Sequence, residues 1–243
     1  MTVRNDFGPT EEIHASFFFR SEDSFEEWES VALRQCGPRV LDLGAGVGAH
    51  ALVLQARGRE VTALDSIPEA VRIMRERGVE DAREGTLFEL PSGEVYDTVI
   101  LLMNGSMIAE TLAGLDRLLA TASKALEPQG ALILDSTDLR DVGPVDADGD
   151  GDEPRSAGQL EDDDHYFGEL HYQLSVGDHV GDVFPQLFVD PETLDTRARL
   201  AGWHTEVIWS GPGGRFLARL QKAVPSVTDD TSGHDHAVPE ALT

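Results

Sequence analysis

Three glycines at alternate positions, Gly44, Gly46 and Gly48, interrupt the chain directly after an apolar run that carries an acid, Val40-Leu41-Asp42-Leu43. Glycine admits backbone angles that other residues resist, and it lets a ligand approach the main chain closely. An amphipathic segment follows at once, with Ala49, Leu52, Val53 and Ala56 at i, i+3, i+4 and i+7, the spacing of one helical face. The pattern predicts strand, glycine turn, helix. A helix start adds unpaired N–H groups and partial positive charge for an anionic or polar ligand. A second apolar run, Val61-Thr62-Ala63-Leu64, ends in another acid, Asp65. An acid at the tip of the second strand is where a doubly wound fold holds ribose hydroxyls. Together these features point to a nucleoside-containing cofactor.

Leu41-Asp42-Leu43-Gly44-Ala45-Gly46-Val47-Gly48 resembles the first motif of the class I S-adenosylmethionine-dependent methyltransferases, and Ala63-Leu64-Asp65 resembles their second. The resemblance runs from about Val40 to Thr137. Gly44-x-Gly46-x-x-Ala49 also fits the fingerprint of NAD enzymes. Asp42 ahead of the first glycine and the order of elements downstream favour the methyltransferase. That resemblance implies an α/β, doubly wound, mostly parallel seven-stranded sheet with a terminal antiparallel hairpin and a small inserted β-ribbon. It also implies S-adenosyl-L-methionine as cofactor and methyl transfer to a small-molecule acceptor. Two other readings stand beside it. An NAD-dependent oxidoreductase would keep Asp65 but gives no role to Asp42 or the hairpin. A methyltransferase-like domain could also bind the cofactor, or only a partner protein, without turnover.

By the resemblance, Gly44 and Gly46 admit the methionine part of the cofactor, with Asp42 near its ammonium. Asp65 takes the ribose hydroxyls, and Ser66, Ile67, Thr86 and Leu87 border the ribose and adenine. As a strand-end acid, Asp65 is expected to be exposed, so that its loss costs binding rather than folding. Gly85-Thr86-Leu87-Phe88-Glu89-Leu90 resembles the loop flanking the adenine, where the family often has an acid on the adenine amine; Thr86 stands there instead. Met103 and Asn104, after the long apolar run Tyr96 to Met103, lie near the transferring methyl. Asn104-Gly105 is also an ordinary turn pair. It is not the Asn-Pro-Pro-aromatic motif of adenine amino-methyltransferases, which lowers the DNA-modification reading.

Around these residues the chain alternates strand and helix with short links, the mark of a parallel sheet. Residues 1–12 look loose; 22–35 read as a helix behind the aromatic run Phe17-Phe18-Phe19-Arg20. Pro68 opens a helix that ends near Gly78, and Val79 to Glu84 is a weak strand. Ile108, Leu112, Leu115, Leu118, Leu119, Ala122 and Leu126 form the stripe of one long helix, ended by Pro128-Gln129-Gly130. Ala131 to Asp135 reads as the fifth strand. Tyr166–Val176 and Val183–Val189 form a ribbon, Asp190 caps a helix over Pro191–Ala201, and Trp203–Trp209 with Arg215–Leu220 close a hairpin. The expected organisation is one domain over 1–222, with a helical cover at 1–38, an insertion at 136–189 and a disordered tail at 223–243. Arg20, Asn104, His165, Tyr166 and Tyr172 are the candidate substrate contacts, Arg20 through a carboxylate of cofactor or substrate. No residue is marked as a general base, and no metal site is expected. Asp146 to Asp152 brushes a calcium-loop pattern, but the twelfth place is Ala157 rather than glutamate. The stretch 141–164 is expected to be a disordered acidic loop.

Composition narrows the setting. The 243 residues carry 45 acids against 19 bases, a formal charge of −26, and only Lys124 and Lys222 are lysines. Such a surface repels phosphate backbones, which argues against nucleic acid as substrate. Scarce lysine and abundant carboxylates suggest adaptation to high salt. Cys36 is the single cysteine, so no internal disulfide is expected. Without an apolar run of about 18 residues or a signal-like amino terminus, cytoplasm is the expected location and no membrane partner is foreseen.

Overall fold

The computed structural model describes residues 1–91, 93–142 and 165–223. In chain order the strands are β1 (Thr2–Asn5), β2 (Glu11–Glu12), β3 (Arg39–Leu43), β4 (Glu60–Asp65), β5 (Asp81–Glu84), β6 (Tyr96–Leu101) and β7 (Leu126–Thr137), then β8 (Glu169–Val176), β9 (His179–Leu187), β10 (Trp203–Ser210) and β11 (Arg215–Lys222). The helices are α1 (Glu27–Arg34), α2 (Ala49–Ala56), α3 (Pro68–Arg77), α4 (Leu112–Ala125) and α5 (Pro191–Leu200).

A seven-stranded sheet has the order β10–β11–β7–β6–β3–β4–β5. Strands β3 to β7 are parallel, and β11 enters antiparallel between β7 and β10. The mostly parallel, doubly wound sheet and the terminal hairpin are thus as the sequence implies. Alternating side chains along the central strands feed two cores. Leu41, Leu43, Val99, Leu101, Leu132 and Leu134 face the side covered by α4 and α5. Val40, Ile100 and Ile133 face α1, α2 and α3. Burial on both faces explains the near-continuous apolar runs. Strand order reverses around β3 and β6, so their carboxyl ends frame the crevice where open α/β sheets bind ligands.

Five boundaries differ from expectation. Residues 1–12 are not loose: β1 pairs with β2 and, antiparallel, with β8, Asn5 opposite Tyr172. A second sheet, β2–β1–β8–β9, results. Four residues with one buried side chain, Val3, carry too little alternation to show as a strand. The cover at 1–38 is therefore part strand. Helix α1 starts at Glu27, where Glu26 and Glu29 form a capping box, and Glu22–Ser24 is a separate 3-10 turn. Helix α4 starts at Leu112, because Gly105–Ala109 is a distinct 3-10 turn that holds Ile108. From Ala125 the chain passes straight into β7, so Pro128 to Gly130 lie within that strand's span, where its pairing with β6 shifts register. The ribbon spans 169–187 and turns at Gly177, whose φ is +57°. Asp190 caps α5 as foreseen, accepting from the amides of Glu192 and Thr193. Residues 143–164 and 224–243, to which most of the acidic loop and the tail belong, lie outside the described residues. No helix among the described residues is long and apolar enough to cross a membrane.

Candidate functional site

At the carboxyl end of β3 the chain turns through Gly44, Gly46 and Gly48 at φ of +72°, +57° and +80°. The three glycines do different work. A Cβ on Gly46 would meet nothing within 4 Å, and one on Gly44 would touch only Ile108 Cδ1 at 3.6 Å. A Cβ on Gly48 would come within 2.7 Å of Val79 Cγ2, so this glycine lets α2 pack down. Asp65, at the end of β4, holds the loop: its Oδ2 accepts from the Gly46 amide at 2.8 Å, and its Oδ1 from the Ile67 amide at 2.9 Å. Asp65 is 8% exposed, not the open strand-end acid expected. Burial follows from the loop folding back onto the strand tip, with the Gly44 and Ala45 amides donating to the Leu64 carbonyl.

Beneath this loop lies Asp42, 2% exposed, with no hydrogen-bond partner at Oδ2. Burial pushes its carboxyl up to about 6; the nearby Asp65 charge adds to the rise, while His50 opposes it. His50, in the first turn of α2, places Nε2 2.8 Å from Glu29 Oε1. Glu29 is fully buried and also accepts from both terminal nitrogens of Arg20 at 2.9 Å and from the Glu26 amide. Burial alone would raise the Glu29 carboxyl, but the bonds from His50, Glu26 and Arg20 outweigh it and hold it below its ordinary value. Arg20, expected to meet a carboxylate of cofactor or substrate, is paired here with the carboxylate of Glu29. Arg20 also reaches Met103 Sδ at 2.9 Å and lies over the rings of Phe17 and Phe25.

Met103 and Asn104 both adopt left-handed backbone angles, φ +73° and +58°, an uncommon pair for residues with side chains. Asp135, buried at the end of β7, fixes them by accepting from the amides of Asn104 (2.8 Å) and Gly105 (3.0 Å) and from Arg215 Nη1 (2.8 Å). Its carboxyl is raised by burial against the pull of those amides and of Arg215. Asn104 Oδ1 accepts from Thr137 Oγ1 at 2.8 Å, which leaves the side-chain Nδ2 hydrogens of Asn104 as its remaining donors. Sequence reasoning missed Glu29, His50, Asp135, Thr137 and Arg215. One signal was present: Asp135 ends an apolar run as Asp65 does, and Asp42 sits one residue from the end of another.

Gly44, Asp65, Ser66, Thr86 and Leu87 line one cavity of about 210 Å³, together with Phe88, Ile108 and Glu110. Ile67, next to Ser66, is exposed at the same strand end. Thr86 is committed locally, its amide and hydroxyl both donating to Glu89 Oε2 at 2.9 Å. A larger cavity of about 360 Å³ lies beyond Leu87 and Phe88 near Lys124, but none of the glycines or aspartates above lines it. The remaining candidates belong to the second sheet and its base. The Tyr166 hydroxyl donates to Asp190 Oδ2 at 2.6 Å and accepts from the Asp190 amide at 2.9 Å, so both of its functions serve the α5 cap. Tyr172 stacks on Phe188 at 6.0 Å between ring centres. His165 is exposed at the start of that segment. No group of three or more potential metal ligands occurs among the described residues.

Residues 17–206 match the family described as "Methyltransferase domain". A solved S-adenosylmethionine-dependent methyltransferase from Bacteroides fragilis, in complex with S-adenosyl-L-homocysteine, is 34% identical, with 92% of this chain and 87% of that one covered at a TM-score of 0.77. A sugar N-methyltransferase from Streptoalloteichus is 17% identical over 89% of this chain and 96% of its own, TM-score 0.55, a likeness of fold. An uncharacterized methyltransferase from Staphylococcus carnosus is 36% identical over 62 residues, which span 26% of this chain and 30% of that relative. The NAD fingerprint is thereby set aside: the chain belongs to the class I S-adenosylmethionine-dependent methyltransferases.

Proposed function

We propose that this protein transfers a methyl group from S-adenosyl-L-methionine to a small-molecule acceptor, at the carboxyl edge of the sheet between β3, β4 and β6. The observation that carries the cofactor site is the unpartnered, buried Oδ2 of Asp42 beneath an open glycine loop. A buried carboxylate oxygen left unpaired is costly, and an ammonium group nearby supplies what it lacks. Gly44 and Gly46 leave room for the methionine part, since nothing stands where their side chains would be except Ile108. Asp65 keeps lone pairs for two ribose hydroxyls beyond the two amides it accepts. Leu87 and Ile67 offer apolar surface to the adenine.

When bound, the cofactor supplies a methyl group activated by its sulfonium, so the protein's task is orientation and field. Met103 and Asn104 are held rigid for that task by Asp135, through the two amide bonds and Arg215. The amide hydrogens of Asn104 can orient an acceptor's lone pair. A small acceptor suits a chain whose charge repels polyanions. The likeness in fold to a sugar N-methyltransferase supports the same class.

Two measurements test this reading. Calorimetric titration should show binding of S-adenosylmethionine and S-adenosylhomocysteine but not NAD. Labelled methyl transfer in a cell extract should place the label in the small-molecule fraction. Absence of cofactor binding, or label confined to nucleic acid or protein, overturns it.

A further inference from the structure

Between the 3-10 turn at Gly105–Ala109 and helix α4 the chain reverses within a single residue. Glu110 sits there at φ +66°, ψ −46°, and the Thr111 amide donates to the Ala109 carbonyl at 2.7 Å across it. This is the rare γ-turn with positive φ, strained for any residue with a side chain. Its neighbours impose it. Thr111 caps α4 by accepting from the Gly114 amide, and a Cβ on Gly114 would lie 1.8 Å from the Ala109 carbonyl oxygen, so turn and helix are pressed together. Glycine would relieve the strain, yet an acid occupies the apex.

That acid lines the cavity shared with Gly44, Asp65, Ser66 and Thr86. Among the described residues its carboxylate has no hydrogen-bond or ion-pair partner. On the loop after β5, Thr86 stands where an acid would, and Glu89 has spent its Oε2 on the Thr86 amide and hydroxyl. We propose that Glu110, presented by the strained turn, is the acceptor for the exocyclic amine of the adenine ring, reading the base from the α4 side of the cavity. The inference rests on the cofactor assignment above. A carboxylate there accepts a charge-assisted hydrogen bond from the amine, and the strain is retained because it holds the acid at the cavity wall.

Discrimination between S-adenosylhomocysteine and its analogue with purine in place of adenine, which lacks only the amine, tests this directly. Calorimetric titration of the wild-type protein should favour the adenine compound by about tenfold, as for the loss of one hydrogen bond to a charged group. Glu110→Ala should bring that ratio close to one, and Glu110→Gln, which keeps a neutral acceptor, should fall between. Glu110→Gly fits the turn without strain; it should lose the same discrimination while melting no lower than wild type, separating base reading from folding. An unchanged ratio in the alanine and glycine variants overturns the proposal. Wild-type protein that binds neither compound would instead remove the cofactor reading on which it stands.

Discussion

Asp65 Oδ2 and the Gly46 amide lie 2.8 Å apart, so the acid at the tip of β4 and the open glycine at the tip of β3 are one unit. The bond spans 19 residues of sequence and fixes the loop from outside. The other oxygen does the same for Ile67, whose amide starts the turn into α3. The residue proposed to hold the ribose thus also shapes the cradle for the methionine part.

Asp65→Ala should therefore weaken both binding and folding. Loss of an ionised acceptor should lower S-adenosylmethionine affinity at least about tenfold, roughly 1.4 kcal/mol. The Gly46 and Ile67 amides would also lose their acceptor in a poorly exposed site, at about 1–3 kcal/mol for each group left unsatisfied. Calorimetry and melting curves on one sample check both. Unchanged affinity with a lowered melting point would reduce Asp65 to a turn-fixing residue.

Asp42 gives a prediction in pH. Its folded carboxyl is raised to about 6 from the ordinary 3.8, so between those values the folded state holds the extra proton. Stability of the free protein should fall as pH rises from about 4 to 6 and level off above, a contribution on the order of 1–3 kcal/mol. Cofactor affinity should move oppositely, rising as Asp42 ionises to meet an ammonium. Asp42→Asn should flatten this part of the stability profile and weaken cofactor binding at pH 7. A variant that binds as tightly as wild type would show that Asp42 does not serve the ligand.

What the sequence made legible was local. Gly44, Gly46 and Asp65 announce themselves because a tight turn needs glycine and an acid ending an apolar run is conspicuous. The parallel pairing of the central strands followed from strand–helix alternation. Long-range partners were not legible: Asp135 meets Arg215 across 80 residues and the Asn104 amide across 31. Glu29 sits beside Trp28 and Ala32 on the buried side of α1, where one acid reads as noise in the apolar pattern. Glu110 was hidden because the stripe Ile108, Leu112, Leu115 keeps helical spacing across the break it makes. Strand β1 is too short to show a period, and its longer partner, β8, begins only at Glu169.

Charge supports a separate proposal, that the protein is suited to high salt. With −26 formal charge and two lysines, self-repulsion should relax as the Debye length falls toward about 3 Å near 1 M salt. The melting temperature should rise between about 0.1 and 2 M sodium or potassium chloride. A flat or falling trend counts against halophilic adaptation.

Glu29 anchors the amino-terminal segment to α2, since Arg20 and His50 both end on its buried carboxylate. Glu29→Ala should leave the Arg20 guanidinium, itself largely buried, without its counter-charge, a change of about 3–5 kcal/mol for breaking a buried pair. Removing both partners is different: Glu29→Met with Arg20→Met should recover much of that loss, because two apolar groups no longer need the bond. The pH dependence has the opposite sign to that of Asp42. The Glu29 carboxyl is held below its ordinary 4.5, so its contribution is present above that pH and is lost as pH falls through the folded value. Melting curves from pH 7 to 3 should show wild type losing stability more steeply on acidification than the double methionine variant. If Glu29→Ala melts with wild type at pH 7, the cluster contributes nothing to the fold, and Arg20 becomes available as the ligand contact that its sequence position suggested.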